Sequence, residues 1–157
     1  MPTSDFQRAR ERAWRLLARR ARSRRELTRR LEAAGFAPEV VARVVESLAE
    51  SGLVDDLSFA RQWVRWRLQE HPMGVPGLAC ELREKGVPGE IIAQALADVD
   101  EERQFRDALK LARRRLEKTG AGYSRAKTAA FLGRRGYAYE IISRVCRRLE
   151  TGDGDEP

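Results

Sequence analysis

The sequence predicts an all-α protein made of three tandem three-helix repeats that form an elongated array. No stretch alternates between apolar and polar residues with the period of two that marks a half-buried strand. Instead, one pattern occurs three times: a leucine, a glycine four residues later, a glutamate four residues after the glycine, and then two aliphatic residues. The glycines, Gly35, Gly86 and Gly136, are 51 and 50 positions apart. Such a period is typical of repeat proteins, which present an extended surface rather than a pocket.

The repeat also predicts the domain organisation. We expect helical repeats at residues 1–52, 53–100 and 101–150, followed by a disordered acidic tail at 151–157, which contains no apolar residue. A unit of about 50 residues is only marginally stable alone, so the repeats should support one another.

Each repeat is predicted to contain a long first helix, a middle helix that ends at the repeated glycine, and a third helix that carries the aliphatic pair. Ser23 and Glu26 form a capping-box pattern at the start of the first middle helix, and Ser124 has the matching position in the third repeat. The repeated glycines fit the left-handed residue that closes a helix. Pro38 and Pro88 suit the first turn of a third helix, where a missing N–H has no cost.

Helical periodicity predicts the core. In the third helices the apolar residues follow steps of one and three, which places them on one face. These residues are Val40, Val41, Val44, Val45, Leu48, Ile91, Ile92, Ala95, Leu96, Val99, Ile141, Ile142, Val145, Cys146 and Leu149. Similar stripes in the first helices are Phe59, Trp63, Val64 and Trp66, with Trp66 near the rim, and Phe105, Ala108, Leu109, Ala112 and Leu116.

The composition is that of a folded, basic protein. The chain has 157 residues, of which 42% are hydrophobic and 35% charged, and this hydrophobic content exceeds that of a disordered chain. The net charge of +7 divides into +4 for residues 1–55, −2 for 56–100 and +5 for 101–157. Two basic ends favour a polyanionic or acidic partner that contacts the protein at two separate places. The alternative is that these Lys and Arg side chains are ordinary solvent-exposed surface.

Few residues have the chemistry of a catalytic or metal site. His71 is the one histidine, and Cys80 and Cys146 are far apart, so we expect no metal, no cofactor and two reduced core cysteines. No nucleophile, phosphate-loop or dinucleotide motif is present, so we expect no enzyme activity. Asp55 and Asp56 are better explained as helix caps than as an acid–base pair. No apolar run reaches the roughly 18 residues of a membrane span, and we expect a cytoplasmic protein.

Basic side chains along two helices are the features most suited to binding. On the first helix, arginines separated by three or four residues share one face, and a second basic face occurs on the first helix of the third repeat. Positive charges near helix ends also relieve the helix dipole, which is the simpler interpretation for Arg134 and Arg135. The candidate filament- or DNA-binding residues are Arg8, Arg12, Arg15, Arg19, Arg22, Arg67, Arg106, Lys110, Arg113, Arg114, Arg134 and Arg135.

The sequence resembles the RecX family of recombination regulators over about residues 12 to 149. The most specific match is the segment 52–60, GLVDDLSFA, followed by Val64 and Arg67. The other matching positions are Arg22, Ser23, Glu26, Leu27, Glu81, Leu82, Lys85, Gly86, Val87, Leu132, Arg134, Arg135, Gly136 and Tyr137. Relatives usually have basic residues between the positions of Gly74 and Leu78, whereas this chain has Val-Pro-Gly there.

The resemblance implies a curved, non-enzymatic regulator, and we expect a monomer. Its partners would be the RecA recombinase filament and DNA, contacted directly or through the filament. It would modulate, mostly inhibit, ATPase activity, strand exchange and filament growth in recombination, DNA repair and the SOS response. Two other functions are compatible with the residues: an all-helical basic DNA- or RNA-binding protein that acts without a recombinase, and a structural adaptor whose charge only maintains solubility.

Overall fold

The computed structural model describes residues 3–152, and this part of the chain contains nine α-helices and no strands. The predicted all-α fold is therefore confirmed. The helices are α1 (Asp5–Arg19), α2 (Arg24–Ala33), α3 (Pro38–Glu50), α4 (Asp56–Glu70), α5 (Val75–Glu84), α6 (Gly89–Leu96), α7 (Glu101–Thr119), α8 (Arg125–Arg134) and α9 (Tyr139–Thr151).

Contacts divide the chain into two compact units. The first unit contains Met1–Trp63 and Leu82–Ala95, and the second contains Val64–Glu81 and Leu96–Pro157. The boundaries lie within α4 and α5 and at the end of α6, so both units include parts of the middle helices.

The repeat boundaries proposed from the sequence stay a prediction. Thr151 is the last residue of α9, so the structured part of the chain extends into the segment predicted as a tail. Residues 153–157, the rest of that segment, lie outside the described residues.

Each unit has its own apolar core. In the first unit, α1, α2 and α3 pack against one another, and in the second unit α7, α8 and α9 do so. The first core contains Ala9, Ala13, Leu27, Leu31, Val41, Val44, Val45, Leu48 and Val54. The second contains Phe105, Ala108, Leu109, Ala112, Leu132, Tyr137, Ile141 and Val145.

The predicted apolar stripes do face inwards. Every residue predicted for them is buried or half-buried except Trp66, whose ring is 44% exposed, as its expected place near the rim implies. The cysteines differ from the prediction. Cys146 is buried, but Cys80 is exposed because the buried face of α5 is set by Leu78 and Leu82, and a residue two positions after Leu78 lies on the opposite side of the helix.

The helix ends follow the predicted signals with two corrections. Ser23 and Ser124 cap α2 and α8, since each side-chain oxygen accepts from the backbone N–H three residues later. The Glu26 side chain, however, does not close the expected capping box but binds Arg20 and Arg22. Pro38 is the first residue of α3, whereas Pro88 lies one residue before α6 and its carbonyl accepts the first helical hydrogen bond.

In the first unit, the turn after α5 packs on the start of α2. The Ser23 hydroxyl donates to the Lys85 carbonyl at 2.5 Å. Gly86 closes α5 with a φ of 81°, and a Cβ at this position would collide with the Arg25 side chain. The glycine is therefore required both by the backbone conformation and by the close approach.

In the second unit, the turn after α8 packs in the same way on the start of α5. The backbone N–H groups of Gly74 and Gly77 donate to the carbonyls of Arg135 and Gly136, both at 3.0 Å. A Cβ on Gly77 would lie 2.9 Å from the Gly136 Cα, which is too close. This close approach leaves no room for a side chain at position 77.

Candidate functional site

Four exposed arginines follow one side of α1. Arg8, Arg12, Arg15 and Arg19 lie along the helix in steps of four, three and four, beside the buried face set by Ala9 and Ala13. We call these four residues the arginine stripe. Arg8 forms an ion pair with Asp5, but both side chains are largely exposed, so the pair holds Arg8 only weakly. The stripe therefore offers four positive charges to a ligand on one helix side.

Arg22 does not belong to the stripe, although its spacing from Arg19 continues the series. Its side chain is only 6% exposed, its Nε donates to the Leu16 carbonyl at 3.1 Å, and its guanidinium pairs with Glu26 at 3.0 Å. The helix ends at Arg19, so helical periodicity no longer predicts which way residue 22 points. Arg22 fastens the end of α1 to the start of α2.

The first turn of α2 carries a charged cluster that depends on this contact. Burial by itself would raise the pKa of Glu26, but its hydrogen bond to Arg20 and the charges of Arg20 and Arg22 outweigh burial and lower that pKa. Nearby, Asp56 is buried and accepts from the Arg24 backbone N–H at 2.9 Å, while Asp55 caps α4 through Leu57 and Ser58. The predicted capping of α4 is therefore found for Asp55, whereas the Asp56 side chain binds the first backbone N–H of α2 instead.

An aromatic surface on α1 was not predicted. The Trp14 side chain is 51% exposed, and the Arg10 guanidinium lies over its ring, 5.3 Å from the ring centroid. Trp14 and Arg10 line a shallow concavity of about 380 Å³ together with Thr3, Gln7 and Glu11. Sequence reasoning missed it because a lone tryptophan in an apolar-periodic helix is more often part of the core.

A second group of candidate residues lies in the second unit, in a concavity of about 550 Å³ beside α7. Phe105 and Leu109 are mostly buried and contribute its apolar part. Its charged lining consists of Arg106, Lys110, Arg113, Arg114, Arg148 and Glu117. We call this surface the basic groove.

The basic groove brings together four of the predicted binding residues. Arg106, Lys110, Arg113 and Arg114 come from α7, and Arg148 joins them from α9. Sequence reasoning missed Arg148, because helical spacing within α9 says nothing about which residues of α7 lie beside it. Five cations against the single acid Glu117 make the groove suited to an anionic ligand.

The remaining candidates either contact other side chains of the protein or are exposed outside both basic surfaces. The Arg67 Nε donates to Glu81 at 3.0 Å, and its guanidinium lies over the Trp66 ring. Arg135 lies over the Phe131 ring, 5.3 Å from its centroid, and Arg134 is exposed at the end of α8. These three residues are not part of the arginine stripe or the lining of the basic groove.

The described residues show neither a metal centre nor a membrane span. Between residues 3 and 152, no group of three or more His, Cys, Asp or Glu side chains is placed to hold a metal ion. In the same part of the chain, no helix has the length and apolar character needed to cross a bilayer.

Comparison with known families gives consistent matches to one family. The first three-helix domain of RecX matches residues 9–48, and the second three-helix domain of RecX matches residues 55–96. The chain is 42% identical over 153 residues to the regulatory protein RecX of Mycolicibacterium smegmatis, covering 90% of this chain and 81% of that protein. It is 36% identical to the regulatory protein RecX of Prosthecochloris aestuarii, covering 96% of this chain and 99% of the relative.

Solved structures show the same fold. The crystal structure of RecX from Lactobacillus salivarius matches with a TM-score of 0.86 at 20% identity, covering 94% of this chain and 98% of that one. A second crystal structure, of a regulatory protein RecX, matches with a TM-score of 0.83 at 22% identity, covering 92% of this chain and 72% of the other.

Proposed function

This chain belongs to the RecX family of regulatory proteins, and from that premise we propose that it binds the RecA recombinase filament on DNA. Bound there, it lowers the recombinase's ATPase activity and restrains strand exchange and filament growth. It acts in the cytoplasm through binding alone, without catalysis of its own.

The basic groove is the observation that best supports this proposal. It combines five cationic side chains with the apolar surface of Phe105 and Leu109. A protein surface with acidic and apolar side chains would complement both parts, because charges steer the encounter and the apolar area excludes water. Bare phosphates would use only the cations.

A second basic surface strengthens binding to a repetitive partner. The arginine stripe is in the first unit and the basic groove is in the second. Once one surface is bound, the other meets its site at a high effective concentration, so two weak contacts give a strong one. A filament offers repeated sites for such a protein.

The test is the DNA-dependent ATPase activity of the cognate recombinase. We expect substoichiometric amounts of this protein to lower the rate of ATP hydrolysis, because one bound molecule blocks extension of a whole filament. Reversing Arg106, Lys110 and Arg113 to Glu should remove most of the inhibition.

A matched control separates the groove from net charge. Arg61, Arg65 and Arg83 are exposed and lie outside both basic surfaces, so reversing them to Glu makes the same change in charge. This control variant should inhibit like the unmodified protein. If ATP hydrolysis stays unchanged at saturating protein while DNA binding is intact, the chain is instead a DNA- or RNA-binding protein that acts without a recombinase.

A further inference from the structure

We propose that residues 153–156 of this chain, which follow the described part of α9, bind in the basic groove and compete there with other anionic ligands. We call these four residues, Asp-Gly-Asp-Glu, the acidic segment. This inference deepens the proposed function by adding a regulation of the same site. It rests on that function only for the identity of the partner that the acidic segment competes with, and the contact itself is testable without a recombinase.

The helix that leads into the acidic segment runs beside the groove in the same direction as α7. Arg144 pairs with Glu102, in the first turn of α7, at 2.8 Å. One turn further along α9, Arg148 lines the basic groove with residues from the middle of α7. Thr151, the last residue of α9, is about 4.5 Å beyond Arg148 along the helix axis. The helix therefore ends beside the second half of α7, next to the groove.

The acidic segment is long enough to span the groove from this point. Gly152, where the chain leaves α9, has a φ of 76°, a left-handed conformation that favours glycine. An extended chain advances about 3.3 Å per residue, so residues 152–156 reach about 16 Å from the end of the helix. Arg106 and Arg113, by comparison, are only about 10 Å apart along the axis of α7.

The charges of the acidic segment are opposite to those of the groove. Asp153, Asp155 and Glu156 supply three carboxylates within four residues, and the groove supplies five cations against one acid. Glu150, the last acid before this segment, accepts hydrogen bonds from Tyr123 and Arg125 and is therefore already engaged elsewhere. The acids that follow it are the nearest in the chain to the end of α9, and opposite charges attract them to the groove.

The acidic segment complements only one part of the groove. It contains no apolar side chain, so it leaves the apolar surface of Phe105 and Leu109 uncovered. A partner with both acidic and apolar side chains gains from burying that surface and displaces the segment. A ligand with charge alone gains no such contact. The segment therefore makes the groove more selective for a protein partner.

Covalent attachment makes a weak contact effective. Single exposed ion pairs contribute little to binding between separate molecules. The acidic segment, however, is joined to a helix that itself lines the groove, so its local concentration there is in the millimolar range. A free anion of similar affinity has to approach that concentration before it displaces the segment.

Carbodiimide cross-linking of the full chain, which joins a carboxylate directly to a lysine, tests the contact. Lys110 lies in the groove, whereas Lys127 is exposed on α8 outside it. Mass spectrometry of the digested monomer should find the acidic segment joined to Lys110 and not to Lys127. Replacing Arg106, Arg113 and Arg114 with Gln should remove most of this product, because Lys110 alone holds the segment weakly.

The second measurement is the affinity for a short, fluorescently labelled DNA duplex, by anisotropy without recombinase. The variant combines Asp153→Asn, Asp155→Asn and Glu156→Gln. Relative to a control with the same change in net charge, it should bind the duplex at least about threefold more tightly. This is the change expected when three exposed ion pairs no longer have to be broken.

The control variant combines Glu32→Gln, Glu50→Gln and Glu70→Gln. These three glutamates are exposed and do not line the basic groove, so the control carries only the general effect of net charge on duplex binding. The difference between the two variants is therefore specific to the acidic segment.

Three results would overturn the proposal. The first is cross-linking of the acidic segment to Lys127 as often as to Lys110. The second is a product that joins two chains, which would assign the groove to a second copy of the protein. The third is an equal gain in duplex affinity in the test and control variants. Recombinase is absent from both measurements, so a failure of ATPase inhibition would contradict the proposed function and leave this contact standing.

Discussion

Gly136 combines two constraints in one residue of the second unit. Its φ is 78°, a left-handed conformation, and a Cβ at this position would lie 2.5 Å from the Gly77 Cα. Gly35, at the corresponding place in the first unit, has a φ of 97° but open space around it. Comparing the two positions therefore separates the cost of the left-handed backbone, which both share, from the cost of the collision, which only position 136 has.

We predict that Gly136→Ala lowers the free energy of unfolding by more than Gly35→Ala does. The left-handed conformation costs each variant about 1–2 kcal/mol, and the collision adds about 1–3 kcal/mol at position 136 alone. Urea denaturation of both variants measures the difference. Equal losses would mean that the Gly77 backbone moves away easily.

Leu82 gives a second prediction at the residue scale. Its side chain is fully buried, so Leu82→Ala should lower the free energy of unfolding by roughly 2–5 kcal/mol. Leu53→Ala is the control, because Leu53 is 54% exposed and its truncation should change stability by about 0.5 kcal/mol or less. A Leu82 variant as stable as the Leu53 variant would contradict the packing of α5 described above.

For single residues, the sequence predicts the features that depend on neighbouring residues in the same helix. The left-handed glycines, the Ser23 cap and the apolar stripes are confirmed because each depends on local backbone or helical spacing. The placement of Arg22 among the binding residues was wrong, and the exposed Trp14 was missed. The burial of Arg22 depends on the Leu16 carbonyl across a turn, which no pattern within one helix predicts.

At the scale of elements, the junction between α1 and α2 is held by charge. Glu26 binds Arg20 and Arg22, and Arg22 in turn binds the end of α1. The folded chain therefore lowers the pKa of Glu26 below that of the unfolded chain. The unfolded state then binds a proton more readily, so the contribution of Glu26 to stability is present above a pH of about 4.3 and is lost as the pH falls through the lower folded value.

We predict that Glu26→Gln reduces the loss of stability on acidification. Between about pH 5 and pH 3, the unmodified protein should lose more free energy of unfolding than the variant, because only the unmodified protein protonates Glu26 there. Glu102 and Glu150 have pKa values lowered by Arg144 and Arg125, but they titrate in both proteins. Denaturant unfolding at several pH values measures the difference, and parallel curves would show that Glu26 gains nothing from its arginines.

The ends of the helices were easier to predict from the sequence than the distant residues that contact those ends. Ser23 caps α2 as its pattern indicates, and its hydroxyl also donates to the Lys85 carbonyl, 62 positions away. No local pattern identifies that second contact. The prediction that Pro88 lies in the first turn of α6 was wrong by one residue. The position two residues after the repeated glycine is the N-terminal cap of the helix and not its first residue.

At the scale of the whole molecule, the arginine stripe and the basic groove are the two surfaces on which candidate binding cations lie together. We predict that reversing Arg12, Arg15 and Arg19 to Glu, or Arg106, Lys110 and Arg113 to Glu, weakens binding to DNA or to the filament without unfolding the chain. Each variant should also reduce the salt dependence of duplex binding, because every phosphate that a protein neutralises contributes about 0.9 to the steepness of that dependence.

The control is the exposed triple Arg61, Arg65 and Arg83, reversed to Glu in the same way. Circular dichroism and thermal melting of all three variants test whether they are folded. Unmodified affinity and slope in both test variants at low salt would show that the two surfaces are ordinary solvated faces, and the contact surface would then have to lie elsewhere.

The helical repeat was predictable from the sequence, but the division into units was not. The period of the glycines is a local signal repeated along the chain, and each copy specifies three helices. The two compact units depend on which distant segments touch, such as Ser23 with Lys85 or Gly74 with Arg135. The basic groove was half predicted for the same reason: its α7 residues follow from spacing, and Arg148 does not.

The first unit is discontinuous along the chain, and this has a consequence for the time order of synthesis. Its last segment, Leu82–Ala95, follows Val64–Glu81, which belongs to the second unit. A ribosome adds about 5–20 residues per second, so Lys85 is made roughly 3–12 seconds after Ser23, whereas a helix forms within about a microsecond. During those seconds the start of α2 is not yet covered by the turn after α5. A chain interrupted near residue 63 would leave that surface exposed to chaperones and proteases.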